Sequence, residues 1–566
     1  MKSRQPNPFI LALQTGLLGG GIAVYLSLVG MVAAFDKRMI IKDMFAMSEV
    51  FLIAPMIIAG YLAARRVASQ KSAFSLLVGI VSGMVSGLLL SLLVLIGTNT
   101  NLREMFINAS PELFEIITYS IPLPTGYLVP LLYGAIAGIA GAGLFLPPVR
   151  YRNAITVGIV TVVLAGLLRD LIMTVVSRWG VIIVIFERLF AYSGLTLIGA
   201  LLVFFIAAGL TFWRSGRKES PRVESSTKQQ KAIRWILWSL LAAFLLVIPS
   251  LLGVFFSETM DNVGLYILMG LGLNIVVGFA GLLDLGYVAF FAIGAYTMGV
   301  LTSPESFLSF HLTYWQALPI ALFVSVLSGV ILGLPVLKVR GDYLAIVTLG
   351  FGEIVRLLFL SDWLRPFVGG TQGIQRIAHP VIGPFDLNTQ GEIYYVILIC
   401  IVIAVFVSSR LKVARLGRSW MSIREDEDVA QAMGVNLVST KLLAFATGAF
   451  FAGLAGTIFA AKLSSVYAHS MNFLVSINVL SSIIIGGMGS VPGVIVGALA
   501  IVGLPELLRE FAEFRYLVYG ALLVVMMLTK PEGLWPEARR KLELHEAEEE
   551  AIEVEEELSP APTPGS

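Results

Sequence analysis

Long apolar runs separated by short polar stretches dominate the chain. Six runs precede residue 214, and each approaches the roughly 20 apolar residues that a membrane-crossing helix needs. The run at 9–34 is longer than the apolar core of a cleaved signal peptide, about 7–15 residues, so we interpret it as a retained first helix. The six predicted crossings are 9–34, 47–64, 73–97, 125–146, 155–176 and 193–213.

The second half contains ten further apolar runs, several of them short for a complete crossing. Backbone that is not helical is tolerated at membrane depth only where protein or a water-filled cavity covers it. Short, interrupted runs therefore indicate a transport pathway. The ten runs are 235–254, 263–281, 287–301, 315–337, 343–360, 394–410, 441–461, 473–488, 492–507 and 516–529.

A basic, polar stretch separates the two sets of runs. Arg214–Arg234 holds seven Lys or Arg residues against two Glu, together with Pro221 and several Ser residues. This composition predicts a flexible linker, and short loops rich in Lys and Arg stay in the cytoplasm. Counting crossings from a cytoplasmic linker places the N- and C-termini inside. The predicted organisation is a membrane domain at 1–213, the linker at 214–234, a second membrane domain at 235–534 and a tail at 535–566.

Composition supports a membrane protein and excludes several kinds of site. Apolar residues make up 57% of the chain and charged residues 13%, whereas soluble domains carry about 25% charged residues. The predicted fold class is therefore all-α and polytopic, with about 16 crossings. A lone cysteine, Cys400, excludes an intramolecular disulfide and a cysteine-based metal site, and the four histidines show no paired metal spacing. No metal and no cofactor are expected. A net charge of +2 gives no indication of nucleic-acid binding, and the tail, with nine Glu in Glu543–Glu557, is expected to be mostly disordered.

A charged segment between two apolar runs is the strongest local signal. Gly417–Gly434 lies on the predicted cytoplasmic side, its middle has helical composition, and Gly434 is a plausible helix stop. A short charged helix in this position has the form of a docking element, although composition alone fits an ordinary loop equally well.

Part of this segment resembles a known motif. Asp428-Val-Ala-Gln-Ala-Met-Gly434 is similar to the coupling loop of ABC importer permeases, whose pattern is Glu-Ala-Ala, three residues, then Gly. The usual downstream Ile-x-Leu-Pro is replaced, a departure that fits the branched-chain amino acid subclass; the residues there are Ala444, Ala446 and Thr447. The resemblance implies a coupling loop that contacts an ATPase through Arg424, Glu425, Asp426, Asp428, Ala430 and Gly434.

Further blocks, in order along the second half, resemble the LivM-type permease of branched-chain amino acid importers. The resemblance covers about 235–534. Residues 1–213 do not match and lack the signature of the LivH-type partner permease, so this half is unassigned and a fusion of both permeases is not expected. The matching blocks are Gly272–Gly286 with Ala289–Tyr296, Val339–Arg356, Gly370–Gly373, Gly486–Gly493 and Lys530–Gly533.

The family implies a multi-subunit importer in the bacterial inner membrane. Its members work with two cytoplasmic ATPase subunits, a second permease of the LivH type and an extracytoplasmic solute-binding protein. The chain has no Gly-x4-Gly-Lys-Ser/Thr phosphate loop. ATP hydrolysis is therefore expected on separate subunits, and this chain is expected to be a transport subunit rather than an enzyme.

The substrate and the pathway remain open at this stage. Branched-chain or related amino acids are the implied substrates, with urea or short amides as alternatives. Asn274, Asp284 and Glu353 lie in or beside glycine-rich, interrupted runs, where polar groups usually face a cavity or the protein interior. They are candidate pathway residues, with hydrogen bonding between helices as the alternative.

Two other classes of protein stay open on the sequence. An ion-coupled secondary transporter would place paired ionisable groups in mid-membrane, and Asp284, Asp342, Glu353 and Arg356 keep that class open. A membrane enzyme would need a clustered catalytic set, which the sequence does not display.

Overall fold

Helices account for nearly all of the regular structure. The computed structural model divides into two compact units, Met1–Trp235 and Ile236–Ser566. An all-α fold is thereby confirmed. The residues described are 8–67, 72–177, 180–216, 227–308, 311–336, 339, 341–507, 514–530 and 532–536.

The first unit contains ten α-helices and one small antiparallel hairpin among its described residues. Strands β1 (Met39–Ile41) and β2 (Phe45–Ala46) form the hairpin. The helices are α1 (Pro8–Val29), α2 (Met31–Ala34), α3 (Met47–Arg66), α4 (Ser72–Asn99), α5 (Pro111–Thr118), α6 (Val129–Phe145), α7 (Val149–Leu167), α8 (Arg169–Val176), α9 (Gly180–Leu189) and α10 (Leu197–Gly216).

Glycines bring α4 and α6 together in this unit. A Cβ added to Gly83 would collide with the carbonyl oxygen of Gly134, and one added to Gly87 would collide with that of Pro130. The two backbones therefore touch without intervening side chains, which is how small residues at a spacing of four pack helices in lipid.

One predicted crossing is broken. The run at 155–176 was expected to be a single helix, but α7 and α8 meet at an angle of 69°. The guanidinium of Arg38 donates a hydrogen bond of 2.6 Å to the carbonyl oxygen of Leu167, and Arg169 forms an ion pair with Asp170. The bond from Arg38 stabilises the chain at the break, because the carbonyl of Leu167, at the end of α7, gains a partner outside the helix.

The second unit is also helical, with two two-stranded pairings among its described residues. Helix α11 (Thr227–Leu252) crosses the division between the units. The other helices are α12 (Val254–Leu273), α13 (Val288–Thr302), α14 (Tyr314–Val336), α15 (Asp342–Leu360), α16 (Arg365–Val368), α17 (Gln390–Val413), α18 (Arg415–Glu425), α19 (Glu427–Ala432), α20 (Leu437–Leu463), α21 (Phe473–Gly486), α22 (Val491–Ala498), α23 (Leu504–Leu507) and α24 (Arg515–Thr529). The strands are β3 (Ile374–Gln375), β4 (Val381–Ile382), β5 (Phe385–Asp386) and β6 (Ser465–Val466); β3 pairs with β6 and β4 with β5.

Helix α12 is the centre of this unit. In its membrane-spanning window, 89% of the residues are buried. The predicted run begins at residue 263, whereas the helix begins at Val254. The prediction missed the first turns because Glu258 and Asp261 lower their hydropathy. The carboxylate of Asp261 is nevertheless fully buried.

The membrane-crossing helices agree with the prediction in kind. Among the described residues, eleven helices are long and apolar enough to cross a membrane, or twelve if the bent pair α7–α8 counts as one span. Each of the 16 predicted runs contains a helix, but the number of crossings stays a prediction. Of the predicted linker, 217–226 lies outside the described residues, as does 537–566 of the predicted tail.

Candidate coupling and translocation site

The charged segment between α17 and α20 folds as two short helices. We call it the coupling segment, α18 and α19 with the turn that follows, residues 415–434. Asp426 separates the helices in an extended conformation, and its Oδ1 accepts hydrogen bonds of 2.9 Å from the backbone N–H groups of Asp428 and Val429. Asp426 is therefore the N-cap of α19, a role that carboxylates fill well.

Gly434 ends α19, as the sequence predicted. The N–H of Gly434 donates to the carbonyl of Gln431, and the N–H of Val435 donates to that of Ala430, both at 3.0 Å. This pair of bonds defines a Schellman motif. Gly434 has φ of +88°, a left-handed conformation that glycine adopts without the penalty paid by residues with a Cβ.

Buried contacts fix the coupling segment to α20. The indole Nε1 of Trp420, fully buried, donates a hydrogen bond of 2.9 Å to the carbonyl oxygen of Thr440. The ammonium of Lys441, 3% exposed, forms an ion pair with Glu427. Ala430 is also buried. The coupling segment is therefore packed against α20 and belongs to the core of the second unit on this side.

The opposite side of the coupling segment is open. A groove of about 420 Å³ runs between α18 and α19. Val429 is 58% exposed and Met433 is 81% exposed beside it, and the charged Glu425 and Asp428 are exposed as well. Apolar and acidic side chains thus share one accessible surface.

The coupling segment also contacts an interruption at the end of α12. The helix continues as a π-helical turn, Asn274–Phe279, and then becomes irregular through Tyr287. Arg424 donates a hydrogen bond of 2.6 Å to the carbonyl oxygen of Gly278. Its Cβ and Cγ lie against Gly281, which has φ of +70°. We call residues 274–287 the interrupted segment.

The loop Gly487–Ser490, between α21 and α22, packs against the interrupted segment. The N–H of Gly489 donates a hydrogen bond of 2.8 Å to the Oδ1 of Asn274, and the carbonyl of Gly489 accepts one of 2.9 Å from the ammonium of Lys412. Asn274 is fully buried. The backbone of Gly489 is thus bonded on its N–H by a side chain of the interrupted segment and on its carbonyl by one at the end of α17.

Asp284 closes a turn within the interrupted segment. Its Oδ1 accepts a hydrogen bond of 2.9 Å from the N–H of Gly286, and the preceding N–H, that of Leu285, donates one of 3.0 Å to the hydroxyl of Thr348 in α15. A Cβ on Gly286 would collide with the backbone of Thr348. The fully buried Asp284 thereby stabilises irregular backbone against a neighbouring helix.

Glu353 lies apart from the other two predicted pathway residues. It forms an ion pair with Arg356, one turn later in α15, and the two side chains are 44% and 26% exposed. Asn274 and Asp284, in contrast, are buried in the interrupted segment. The structure brings Glu353 only to the edge of that segment, beside Leu285 and Val288.

Several contributing residues were not identified from the sequence. Side-chain hydrogen bonds or ion pairs join four such residues to the site: Lys412, Trp420, Thr348 and Lys441. A lysine at the end of an apolar run ordinarily faces water, so Lys412 carried no signal. A tryptophan within the charged segment was the one available sign that this segment packs against a helix.

Comparison with known proteins identifies relatives of the second unit. Residues 255–527 match the family model described as "Branched-chain amino acid transport system / permease component". LivM permeases are similar: that of Salmonella typhimurium strain LT2 is 39% identical over 347 residues, covering 57% of this chain and 79% of the relative. That of Escherichia coli K12 is 38% identical over 377 residues, covering 61% and 86%.

The chain is also similar, more distantly, to permeases of the LivH type. The LivH permease of Salmonella typhimurium is 22% identical over 289 residues, covering 48% of this chain and 90% of the relative. No solved structure matches the chain. The family model lies wholly within the second unit, where the coupling and interrupted segments also lie. The chain therefore belongs to the family of permease components of branched-chain amino acid transport systems.

Proposed function

We propose that this chain is one of the two permease subunits of an ATP-driven importer for branched-chain or related amino acids. The observation that carries the proposal is the contact of Arg424 with Gly278, because it joins an exposed docking surface to an interruption in a buried helix. An ion-coupled transporter has no need of such a docking surface. Permeases of this class for urea or short amides are the second candidate, since the family alone does not fix the substrate.

The coupling segment docks an ATPase subunit on the cytoplasmic side. Val429 and Met433 are exposed next to acidic residues on a segment that Trp420 and Lys441 hold rigidly. A rigid, amphipathic helix is suited to a groove on a partner protein. Two ATPase subunits, one for each permease subunit, supply the energy, and this chain makes and breaks no covalent bond.

The proposed topology has 16 crossings in the inner membrane, with both termini in the cytoplasm. It counts every predicted run as one crossing, including the bent pair α7–α8 and the shorter apolar helices α13 and α22. The basic residues Arg410, Lys412 and Arg415 lie at the junction of α17 and α18, and loops rich in Lys and Arg stay on the cytoplasmic side. The coupling segment is therefore cytoplasmic.

Transport proceeds by movement of the interrupted segment. Closure of the ATPases displaces the coupling segment, and Arg424 passes the displacement to Gly278. Asn274 and Lys412 then carry it to Gly489, because both bond the backbone of that residue. π-Helical turns and short loops absorb such shifts more readily than continuous helices.

The pathway lies along the interrupted segment, with Asn274 and Asp284 on it and Glu353 at its edge. Among the described residues, the amide Nδ2 of Asn274 has no hydrogen-bond partner. A buried donor without a partner is costly, so a second conformation or a bound solute that satisfies it is favoured. The extracytoplasmic solute-binding protein delivers the amino acid to this pathway.

The first half acts as an accessory module. The family model and the coupling machinery both lie after residue 235. On the proposed extracytoplasmic side, 99–124 contains the helix α5, which buries Leu113, Phe114 and Ile117. This region contacts the solute-binding protein in our proposal.

Uptake competition tests the substrate. The chain is co-expressed with its partner subunits in a strain that lacks its own branched-chain amino acid uptake. Uptake of labelled leucine that isoleucine and valine reduce, and urea and acetamide do not, is the expected result. Competition by urea or acetamide alone would favour the second candidate and overturn the assignment of an amino-acid substrate.

A further inference from the structure

Helix α15 exposes charge at membrane depth. Arg356 donates hydrogen bonds of 3.0 and 3.1 Å from its Nε to the carboxylate of Glu353. Glu353 is the twelfth residue of α15, about 16 Å along the helix from its first residue, and so falls near the middle of a hydrocarbon core of about 30 Å. Its side chain is still 44% exposed in this chain.

The same face of α15 is otherwise apolar and contains a glycine. Ile346 is 63% exposed, Ile354 is 57% exposed and Leu357 is 54% exposed. Gly350 is exposed, and a Cβ added to it would meet no atom within 4 Å. At 3.6 residues per turn these residues and Glu353 share one side of the helix. We call this the α15 face: Ile346, Gly350, Glu353, Ile354 and Leu357.

Two other helices of the second unit expose only apolar side chains along most of their length. The outward side of α17 presents Ile399, Val402 and Phe406, each about 60% exposed, and that of α14 presents Phe323 and Ile331. From 395 to 406 in α17 and from 320 to 334 in α14 the exposed residues are all apolar. These two faces suit contact with lipid tails, and the α15 face does not.

We propose that the α15 face packs against the second permease subunit, which covers the Glu353–Arg356 pair. Charged side chains within a membrane face protein or a water-filled cavity, since hydrocarbon leaves them unsolvated. A glycine on the contact surface lets a second helix approach closely. This inference rests on the proposed function, which supplies the partner: the relatives of this chain include both LivM and LivH permeases, so the partner is a homologous but distinct subunit.

The position of the α15 face gives the interface a role in transport. Glu353 lies beside Leu285 and Val288, at the end of the interrupted segment. The N–H of Val288 also donates a hydrogen bond of 3.0 Å to the hydroxyl of Ser476 in α21. A partner subunit seated on the α15 face therefore adjoins the part of this chain that moves during coupling.

Photo-crosslinking tests the interface. The photoreactive residue p-benzoylphenylalanine replaces Ile354 on the α15 face or, as the control, the equally exposed Val402 on α17. The complex is formed with an affinity-tagged LivH-type partner and irradiated in membranes. An adduct of the two permeases from position 354 and none from position 402 is expected. The proposal is overturned by no adduct at 354, by an adduct of two copies of this chain, or by an adduct at 402 alone.

A substitution that enlarges a side chain on the α15 face provides a second test of the interface. Gly350→Trp fills the open space on the α15 face, and Val402→Trp enlarges the control face. At equal amounts of inserted chain, Gly350→Trp is expected to recover the tagged partner about tenfold less, because a clash at a tight interface is poorly tolerated. Val402→Trp should recover it normally. Full recovery with Gly350→Trp would contradict the proposal, and if that variant fails to insert, the crosslinking result decides.

The unaltered chain separates the two hypotheses. If it neither co-purifies with the partner nor supports uptake, the proposed function itself fails, and this interface with it. If it co-purifies and transports but position 354 forms no adduct, only the α15 face is wrong.

Discussion

Arg424, near the end of helix α18, donates a hydrogen bond of 2.6 Å to the carbonyl oxygen of Gly278, which lies 146 residues earlier in the chain. Gly278 belongs to the π-helical turn that ends the buried part of α12. A guanidinium on a short charged helix therefore contacts backbone within the core of the second unit. This relationship is the physical basis of the coupling that we propose.

Removal of this guanidinium should uncouple transport. We expect Arg424→Ala to lower uptake about tenfold or more, because a hydrogen bond from a charged donor contributes about 1.5–3 kcal/mol. ATP hydrolysis should continue, since the docking surface of α19 is unchanged. Both rates are measured on the purified complex in proteoliposomes.

Arg415 provides the matched control for Arg424. It lies at the start of the same helix, carries the same charge and is exposed. Arg415→Ala should retain uptake. Equal losses of uptake in both variants would mean that net charge matters, rather than the bond to Gly278.

Gly434 ends helix α19 in a left-handed conformation. Two substitutions separate the effect of this backbone conformation from the effect of side-chain size. Gly434→Val should destabilise the end of α19 by about 1–2 kcal/mol, because a β-branched residue is strained at positive φ. Gly434→Asn also adds a side chain, but asparagine tolerates this conformation. ATPase co-purification should therefore fall with Val and persist with Asn.

One result with the two Gly434 variants would contradict the conformational explanation. No atom lies within 4 Å of a Cβ added at this position, so neither side chain clashes within the chain. If Asn and Val abolish ATPase binding to the same degree, clearance for the partner is what matters, and the conformational explanation is wrong.

Much of this architecture was accessible from the sequence. Apolar length predicted every membrane helix of the second unit, since burial in lipid demands it. The predicted helix ends were less accurate where polar groups are buried. Asp261 lies fully buried in α12, but its charge lowers the hydropathy there, so the first turns of that helix were not predicted. The helix stop at Gly434 was predicted because glycine is the residue most often found at a left-handed C′ position.

The contacts that assemble the site were beyond reach from the sequence. Arg424 with Gly278 and Lys412 with Gly489 are side-chain bonds to backbone carbonyls. Every residue has such a carbonyl, so residue type gives no indication of the partner. The same difficulty applies to the break after Leu167, whose carbonyl accepts a hydrogen bond from Arg38 in a distant loop.

Solvent access to the interrupted segment should change with nucleotide state. In a Cys400→Ser background, we place cysteine at Asp284 and measure labelling by a water-soluble thiol reagent. Position 284 is fully buried here, so labelling is expected in one nucleotide state and protection in the other. Ser408→Cys, also at a fully buried site but in α17, should stay unlabelled in both states.

Asn274 and Glu353 are probed in the same way. Protection of positions 274, 284 and 353 in every nucleotide state would remove all three residues from the pathway. Labelling of Ser408→Cys to the same extent would show general loosening of the second unit instead of a defined route.

The second unit should transport without the first. A chain beginning at Thr227 keeps the whole of α11, whose carbonyls at Leu245 and Leu246 accept hydrogen bonds from Tyr394 and Tyr395 of α17. We expect this truncated chain to insert, to bind its ATPases and to support uptake. A truncated chain that assembles but shows no uptake would contradict the accessory role of the first half.

The most direct test of the central claim is leucine uptake into proteoliposomes that contain the complete complex and its solute-binding protein. We predict accumulation that requires ATP on the cytoplasmic side of the bilayer, is insensitive to collapse of proton and sodium gradients, and is lost with Arg424→Ala while ATP hydrolysis continues. Accumulation driven by an ion gradient without ATP would contradict the account.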